Sequence, residues 1–274
     1  MIDFKGITQR TQLYNFHSHT QFCDGRAAMH DFVVAAIEQG FTDYGFSPHS
    51  PAPIESPCNI KLENVPLYLD EFKRLKKEFE GKINLYLSME IDYFNHEHGP
   101  SSKYYDGLNL DYKIGSVHFV PCGDTYVDTD GNFNNFKLKM ERYFDNDIRT
   151  VVERFYAQTL QMIESKGFDI IGHFDKIGQN ASYFQPGIEE EEWYQKLVLK
   201  VIDAIKDTGL IAEINTKSLM EHNRFFPNKR YFGLLKKYEI PVVVNSDAHY
   251  PERINAGRME AIELYKGDFY KLNP

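Results

Sequence analysis

Seven short apolar segments, separated by stretches of helical periodicity, constrain the fold most. They cover residues 12–19, 42–49, 83–92, 111–119, 169–174, 210–216 and 240–249. Several are continuous apolar runs rather than alternating ones, as expected of strands covered on both faces. Between them, Met29, Phe32, Val33, Ala36 and Ile37 have helical spacing, and Gly40 is placed to stop that helix. Ile148, Val151, Val152, Phe155 and Ile163 mark a second apolar face, with Asp147 as its N-cap. Trp193, Leu197, Val201 and Ile205 mark a third before Gly209. Strand–helix alternation argues for a parallel sheet. Without a Gly-rich dinucleotide turn, seven or eight such units fit a closed or nearly closed α/β barrel better than an open sheet. No repeat or Pro/Gly-rich linker divides the chain, so residues 1–274 read as a single domain. Residues 119–146 break the rhythm: a long, aromatic and acidic stretch follows a strand. It reads either as a loop covering a site or as an insertion without a role.

Composition removes several classes of function. With 42% apolar and 26% charged residues, the chain can bury a sizeable core. A net charge of −9 gives no electrostatic grip for a long nucleic acid, though a small phosphorylated partner remains compatible. Cys23, Cys58 and Cys122 have no C-x-x-C spacing, so neither a disulfide framework nor a thiolate zinc finger is indicated. No apolar stretch approaches a signal peptide or a membrane span, and a cytoplasmic protein is the default expectation.

The ionisable residues fall at the segment ends. His17 and His19 end the first segment and His49 the second; Glu90 lies near the end of the third and His118 near that of the fourth. His173 falls near the end of the fifth, and Asp247 and His249 end the seventh. On a parallel barrel these ends lie on one face, where barrel enzymes keep their active sites. Residues i and i+2 of a strand point the same way, so His17 and His19 can reach a common ion. Imidazole and carboxylate suit Zn²⁺, Mn²⁺ or Fe²⁺. Eight such groups, with Asp24 close by, are too many for one tetrahedral ion, which makes two or three divalent ions the simpler count. A lone histidine at a strand end is more often structural than ligating, but six of ten histidines placed this way is a pattern. His30 and His222 read as solvated or structural, and His96 and His98 lie past a strand in a polar loop. Cys23 reads as a small buried residue beside the site. No Gly-x-Ser-x-Gly elbow, P-loop or Cys-x5-Arg signature supports a covalent nucleophile.

These residues resemble the successive motifs of the PHP (polymerase and histidinol phosphatase) superfamily: "HSH" with Asp24, "SPHS", "MEID", "GSVHF", "IIGHFD" and "NSDAH". The resemblance spans nearly the whole chain and implies a distorted (β/α)7 TIM-like barrel with a di- or trinuclear metal centre. Carried over, His17, His19, Glu90 and Asp247 would hold one ion; Glu90, His118 and His173 a second; Asp24, His49 and His249 a third. Within the superfamily, the segments around 115–131 and 143–164 look most like the histidinol-phosphate phosphatases. "SPHS" stands where an acid often precedes this histidine, and "GHFD" where "GHPD" is usual. Neither departure removes a ligand, but both touch groups that orient ligands.

The reaction implied is hydrolysis of histidinol phosphate to histidinol and phosphate by a metal-bridged hydroxide. Asp247 or His249 would protonate the leaving alcohol. Arg224, Arg253 and Arg230 are candidates to pair with the phosphate. Two rival readings differ in class: a phosphoesterase acting on a nucleotide or nucleoside bisphosphate, and a non-catalytic metal-binding module. Metal content without hydrolysis of any phosphate ester would favour the module.

Overall fold

A computed structural model describes residues 2–267; Met1 and 268–274, which the expected domain also spans, lie outside them. Among the described residues ten strands form: β1 (Tyr14–Asn15), β2 (Asp43–Phe46), β3 (Asn84–Leu87), β4 (Glu90–Asp92), β5 (Ile114–Ser116), β6 (Phe119–Cys122), β7 (Thr125–Asp128), β8 (Ile170–Ile171), β9 (Ile211–Asn215) and β10 (Val242–Asn245). Two parallel sheets result, β1-β2-β3 and β10-β9-β8-β5-β4. The 83–92 segment is one pass, broken at Ser88–Met89 into β3 and β4, so seven passes make up the barrel. Pro48 explains the break physically. It has no N–H to donate to a ladder, and only its carbonyl is used, accepting from Glu90 N at 3.0 Å. The ladder resumes one residue later in the His49–Glu90 bridge.

The other seam, between the first and last passes, is closed mainly by side chains. Asn245 Oδ1 accepts from Phe16 N and Asn15 Oδ1 from Ser246 N, each at 2.9 Å. A single parallel bridge, Ser18–Ala248, follows them. Arg258, fully buried, spans the same seam by donating to the carbonyls of Val244 (3.0 Å) and Gln12 (3.1 Å). The result is a distorted seven-stranded α/β barrel, as the sequence implied.

Ten helices surround or cap it: α1 (Phe4–Arg10), α2 (Met29–Glu38), α3 (Val65–Glu78), α4 (Phe133–Phe144), α5 (Ile148–Ser165), α6 (Ile177–Phe184), α7 (Glu192–Thr208), α8 (Leu219–His222), α9 (Phe232–Lys237) and α10 (Arg258–Lys266). Phe4 and Ile7 of α1 pack with Phe16 and with Tyr14, Ile114, Ile170 and Val243, the last four at or near the starts of barrel strands. They plug the N-terminal mouth and leave the opposite rim for chemistry. Helix α2 ends where Gly40 adopts φ +77°, and Asp147 caps α5 by accepting from Thr150 N at 3.1 Å.

Two sequence expectations need correction. The buried face of α7 is Tyr194, Val198, Val201, Ile202 and Ile205, one position round from the face read through Trp193 and Leu197. Trp193 instead lies half-buried under the Arg149 guanidinium, 4.8 Å from the ring centroid. Residues 119–146 are not an irregular loop. They form an antiparallel hairpin, β6–β7, turned through Gly123–Asp124 with Gly123 at φ +58°, and then α4, whose Phe136, Met140 and Phe144 are buried. A glycine at the first position of a two-residue turn suits the right-handed twist of a hairpin.

Candidate metal centre

Eight of the nine ligand candidates named from the sequence lie near or just past the C-terminal ends of the barrel passes, Asp24 lies in the loop after β1, and the structure brings the nine together. The i, i+2 spacing turns both His17 and His19 into the barrel mouth, where their ring centroids are 5.2 Å apart. His19 continues to His49 (4.4 Å), His49 to His118 (5.1 Å), His118 to His173 (4.9 Å) and His173 back to His17 (5.8 Å). This closes a ring of imidazoles. His249 lies against His19 from outside, at 4.1 Å.

Glu90 occupies the middle. Its Oε1 lies 2.8 Å from His173 Nε2 and 3.6 Å from His118 Nε2. Its Oε2 lies 3.0 Å from His49 Nδ1, 3.2 Å from His17 Nε2 and 3.6 Å from His19 Nε2. Asp247 Oδ1 faces His19 Nε2 at 3.0 Å, and its backbone adopts φ +50°, a left-handed conformation that aspartate tolerates better than most residues. Asp24 reaches the same mouth from the loop after β1, with Oδ2 at 3.2 Å from His249 Nε2. That loop folds tightly enough for Gly25 to pack on the backbone of His19 and Thr20, where a Cβ would not fit.

Sequence reading missed the groups that orient these ligands. Glu213, on β9, accepts from His17 Nδ1 at 2.7 Å, and Asp92 from His118 Nδ1 at 2.7 Å. Each carboxylate holds the proton on Nδ1 and turns Nε2 towards Glu90, an arrangement common behind metal-binding histidines. Asn215 donates to both Glu213 Oε2 and Asp247 Oδ2 at 3.1 Å. The signal for Glu213 was available: an acid inside the apolar run "LIAEIN" can be buried only with a partner.

Burial opposes charge throughout the cluster, and neighbours decide the outcome. Despite burial, Glu90 is held well below the usual carboxylate range by His17, His49 and His118, and Asp247 by Lys217, His17 and His19. Asp24 is likewise depressed by His249, His19 and His49. Burial lowers the pKa of His19, His49 and His173, helped at His19 by the neighbouring imidazoles of His249 and His49 and at His173 by Lys176, and opposed at His49 by Glu90 and Asp24. Burial also works against charge on His17 and His118, but their carboxylate partners win, and His118 is held up at about 9.

The donor set fits divalent cations on evidence internal to the fold. His17 Nε2, His19 Nε2, His49 Nδ1, Asp24 Oδ1 and Glu90 Oε2 are all buried without a hydrogen-bond partner. Buried polar atoms are normally satisfied, so several orphans converging on one space call for a ligand. Donors within 4.8 Å of one another group as His19, Asp24, His49 and His249; as His17, His19 and Glu90; as His17, His173 and Asp247; and as His49, Glu90 and His118. The first adds His19 to one set carried over from the family. Cys23 Sγ lies 3.5 Å from His19 Nδ1, but burial pushes its thiol up to about 12, which leaves it protonated beside the cluster.

A PHP-domain family model matches residues 15–217. The chain belongs to the PHP family. Among PHP relatives, the histidinol-phosphatase of Bacillus subtilis is 25% identical over 85% of this chain and 92% of its own length. The solved hisK structure from Listeria monocytogenes matches with a TM-score of 0.81 at 18% identity, covering 90% of this chain and 99% of that one. A histidinol phosphate phosphatase from Lactococcus lactis, solved with zinc, L-histidinol and phosphate, matches at 0.70 and 21% identity over 92% of each chain. These likenesses establish the PHP-type barrel, and the chain is a hydrolase of the PHP phosphoesterase family.

The three arginines put forward for phosphate are already engaged within the protein. Arg224 makes a bidentate pair with Glu189 at 2.9 Å and lies 3.4 Å from Asp175. Arg230 pairs with Glu190 at 2.7 Å and Arg253 with Glu221 at 2.8 Å. Loop position suggested them; the acids that hold them come from other elements. The remaining histidines lie apart: His30, His96 and His98 are half-exposed or exposed, and His222 Nδ1 accepts from Tyr183 Oη at 2.9 Å. Among the described residues no helix is long and apolar enough to cross a membrane.

Proposed function

We propose that the chain hydrolyses histidinol phosphate to histidinol and phosphate in a site holding two or three divalent cations. The observation that carries this reading is the convergence of orphaned imidazole and carboxylate atoms on Glu90 at the barrel mouth. His17, His19, Glu90 and Asp247 would hold one cation, Glu90 with His118 and His173 a second, and Asp24, His49 and His249 a third. Zinc is the first choice because the ligand set is imidazole and carboxylate, which also suits manganese and iron. Cations held by these residues would supply Lewis acidity that lowers the pKa of water towards neutral and positive charge for the phosphoryl oxygens.

The protein's own groups do the rest. Glu213 and Asp92 orient His17 and His118, and Glu90 separates the two halves of the ring. Asp247 and His249 stand beside each other, Asp247 buried and His249 slightly exposed, with His249 Nδ1 3.0 Å from the Asp247 carbonyl. On this reading Asp247 or His249 would pass a proton to the departing alkoxide, which leaves poorly without one. The hairpin β6–β7 returns to the rim through Thr129, which donates to the His118 carbonyl, and so brings Asp128 and Asp130 near the mouth. Both acids are already paired with lysines, Asp128 with Lys139 at 2.6 Å and Asp130 with Lys176 at 3.1 Å.

The test is turnover of histidinol phosphate, a nucleotide, a nucleoside bisphosphate and an aryl phosphate by purified protein, before chelation and after metal is restored. Activity on histidinol phosphate should vanish on chelation and return with metal, and should exceed activity on the other esters. Activity that survives full chelation overturns the metal reading. Preference for the bisphosphate overturns the substrate, and metal uptake without hydrolysis of any ester leaves only a binding module.

Metal uptake also has a pH signature. The carboxylates around His118 hold its pKa at about 9, above its unfolded value, so its share of apoprotein stability is complete below about pH 6.5. That share is lost as pH rises through about 9. A cation needs the neutral imidazole and displaces this proton. The melting-temperature gain on adding metal should therefore widen from pH 6.5 to 9. A gain that is flat or shrinks over that range contradicts metal binding at His118.

A further inference from the structure

We infer that Lys217 is the cation that anchors the phosphate of the substrate, a role that rests on the phosphatase reading above. Lys217 lies just beyond the C-terminal end of β9, and its backbone N–H donates to Asn215 Oδ1 at 3.0 Å. The Asn215 side-chain amide also donates to Asp247, so one residue fixes both Lys217 and a ligand candidate. The Lys217 ammonium lies 3.4 Å from Asp247 Oδ1 and 3.2 Å from His249 Nε2. Its side chain is 35% exposed, which places the charge at the boundary between the buried cluster and solvent.

Other cations near the mouth are differently placed. Lys176 is 8% exposed and held by Asp130 at 3.1 Å. Arg224, Arg230 and Arg253 are paired with glutamates. Among the described residues, no acid outside the ligand cluster lies within salt-bridge range of Lys217. Its two partners, Asp247 Oδ1 and His249 Nε2, are atoms the metal reading gives to cations. Once they are so used, the ammonium loses both acceptors while facing a positively charged site. A phosphate monoester dianion entering from solvent restores the missing negative charge. A lysine suits this role, being a compact charge with three donors on a flexible stem.

The experiment compares wild-type protein with K217M, K217R and K196M, the last removing an exposed lysine of α7 that pairs only with Glu192. Each is metal-loaded and analysed for metal per chain, for the affinity of inorganic phosphate by calorimetry, and for KM and kcat on histidinol phosphate. In K217M, phosphate affinity should fall and KM rise roughly ten- to hundredfold, the loss expected for a charge-assisted hydrogen bond. The kcat should change less, K217R should recover most of the affinity, and K196M should match wild type. Metal content should be equal in all four. Phosphate affinity and KM within twofold of wild type in K217M overturn the proposal. So does loss of metal from K217M, because the lysine would then act on the ligands. Weaker phosphate binding by K217M in a protein whose wild type turns over no ester sustains the anchor and overturns only the assigned reaction.

Discussion

On the proposed reading, Glu90→Gln should lower turnover of histidinol phosphate roughly a thousandfold and remove at least one metal ion per chain, while the fold should stay intact. The substitution is nearly isosteric, so packing is spared and the effect is electronic. In the native site each carboxylate oxygen faces a different group of imidazoles, Oε1 towards His173 and His118 and Oε2 towards His49, His17 and His19. An amide has one oxygen and one NH₂, and the NH₂ cannot serve as an acceptor or metal ligand. Whichever way it is turned, one side of the ring loses its acceptor. Ser116, whose hydroxyl donates to Oε1 at 2.7 Å, favours keeping oxygen there, so the loss should fall on the His17, His19 and His49 side. Elemental analysis and steady-state kinetics check this together. Normal metal content with kcat within tenfold of wild type would show that Glu90 does not join two metal positions.

The second large effect is on stability. Arg224→Met should destabilise the protein by about 3–5 kcal/mol, because removing one partner leaves buried carboxylates uncompensated. Glu189 and Asp175 are both buried, and both lean on this guanidinium. Burial already raises the Asp175 carboxyl to about 7 with the arginine present. For a chain of this size the melting temperature should drop by roughly 10 °C. Arg230→Met is the contrast, since its pair with Glu190 is solvent-exposed and worth under about 1 kcal/mol. The same pair of variants decides how Arg224 is used. A raised KM without loss of stability would make it a phosphate ligand after all, and a lowered melting temperature with an unchanged KM would make it structural.

What was legible in the sequence follows from what is local. The strand passes were visible because each is a short apolar run, and the ligand candidates because they sit at fixed offsets from strand ends. His17 and His19 illustrate this: an i, i+2 spacing is sufficient to turn both side chains the same way. Groups that depend on pairing between distant elements were not legible. Asp92 and Glu213 gain their roles only when β4 and β9 lie beside the histidines they hold. Arg224 looked like a free cation because Glu189, its partner, belongs to a different turn of the chain. The hairpin at 119–128 was hidden for another reason. Its turn signal, Gly123–Asp124, was present, but the aromatic and acidic residues around it obscured the alternation of the two strands.

The side-chain seam between the first and last passes bears on how the protein is made. Asp24 and His249, 225 positions apart, meet across it, and His17 and His19 meet Asp247 there too. A nascent chain emerging from the ribosome therefore lacks two of the nine ligand candidates, Asp247 and His249, until its final strand is released. On the proposed reading, the two cation sites that need Asp247 or His249 cannot be finished on an incomplete polypeptide, and filling them would tie the two ends of the chain together.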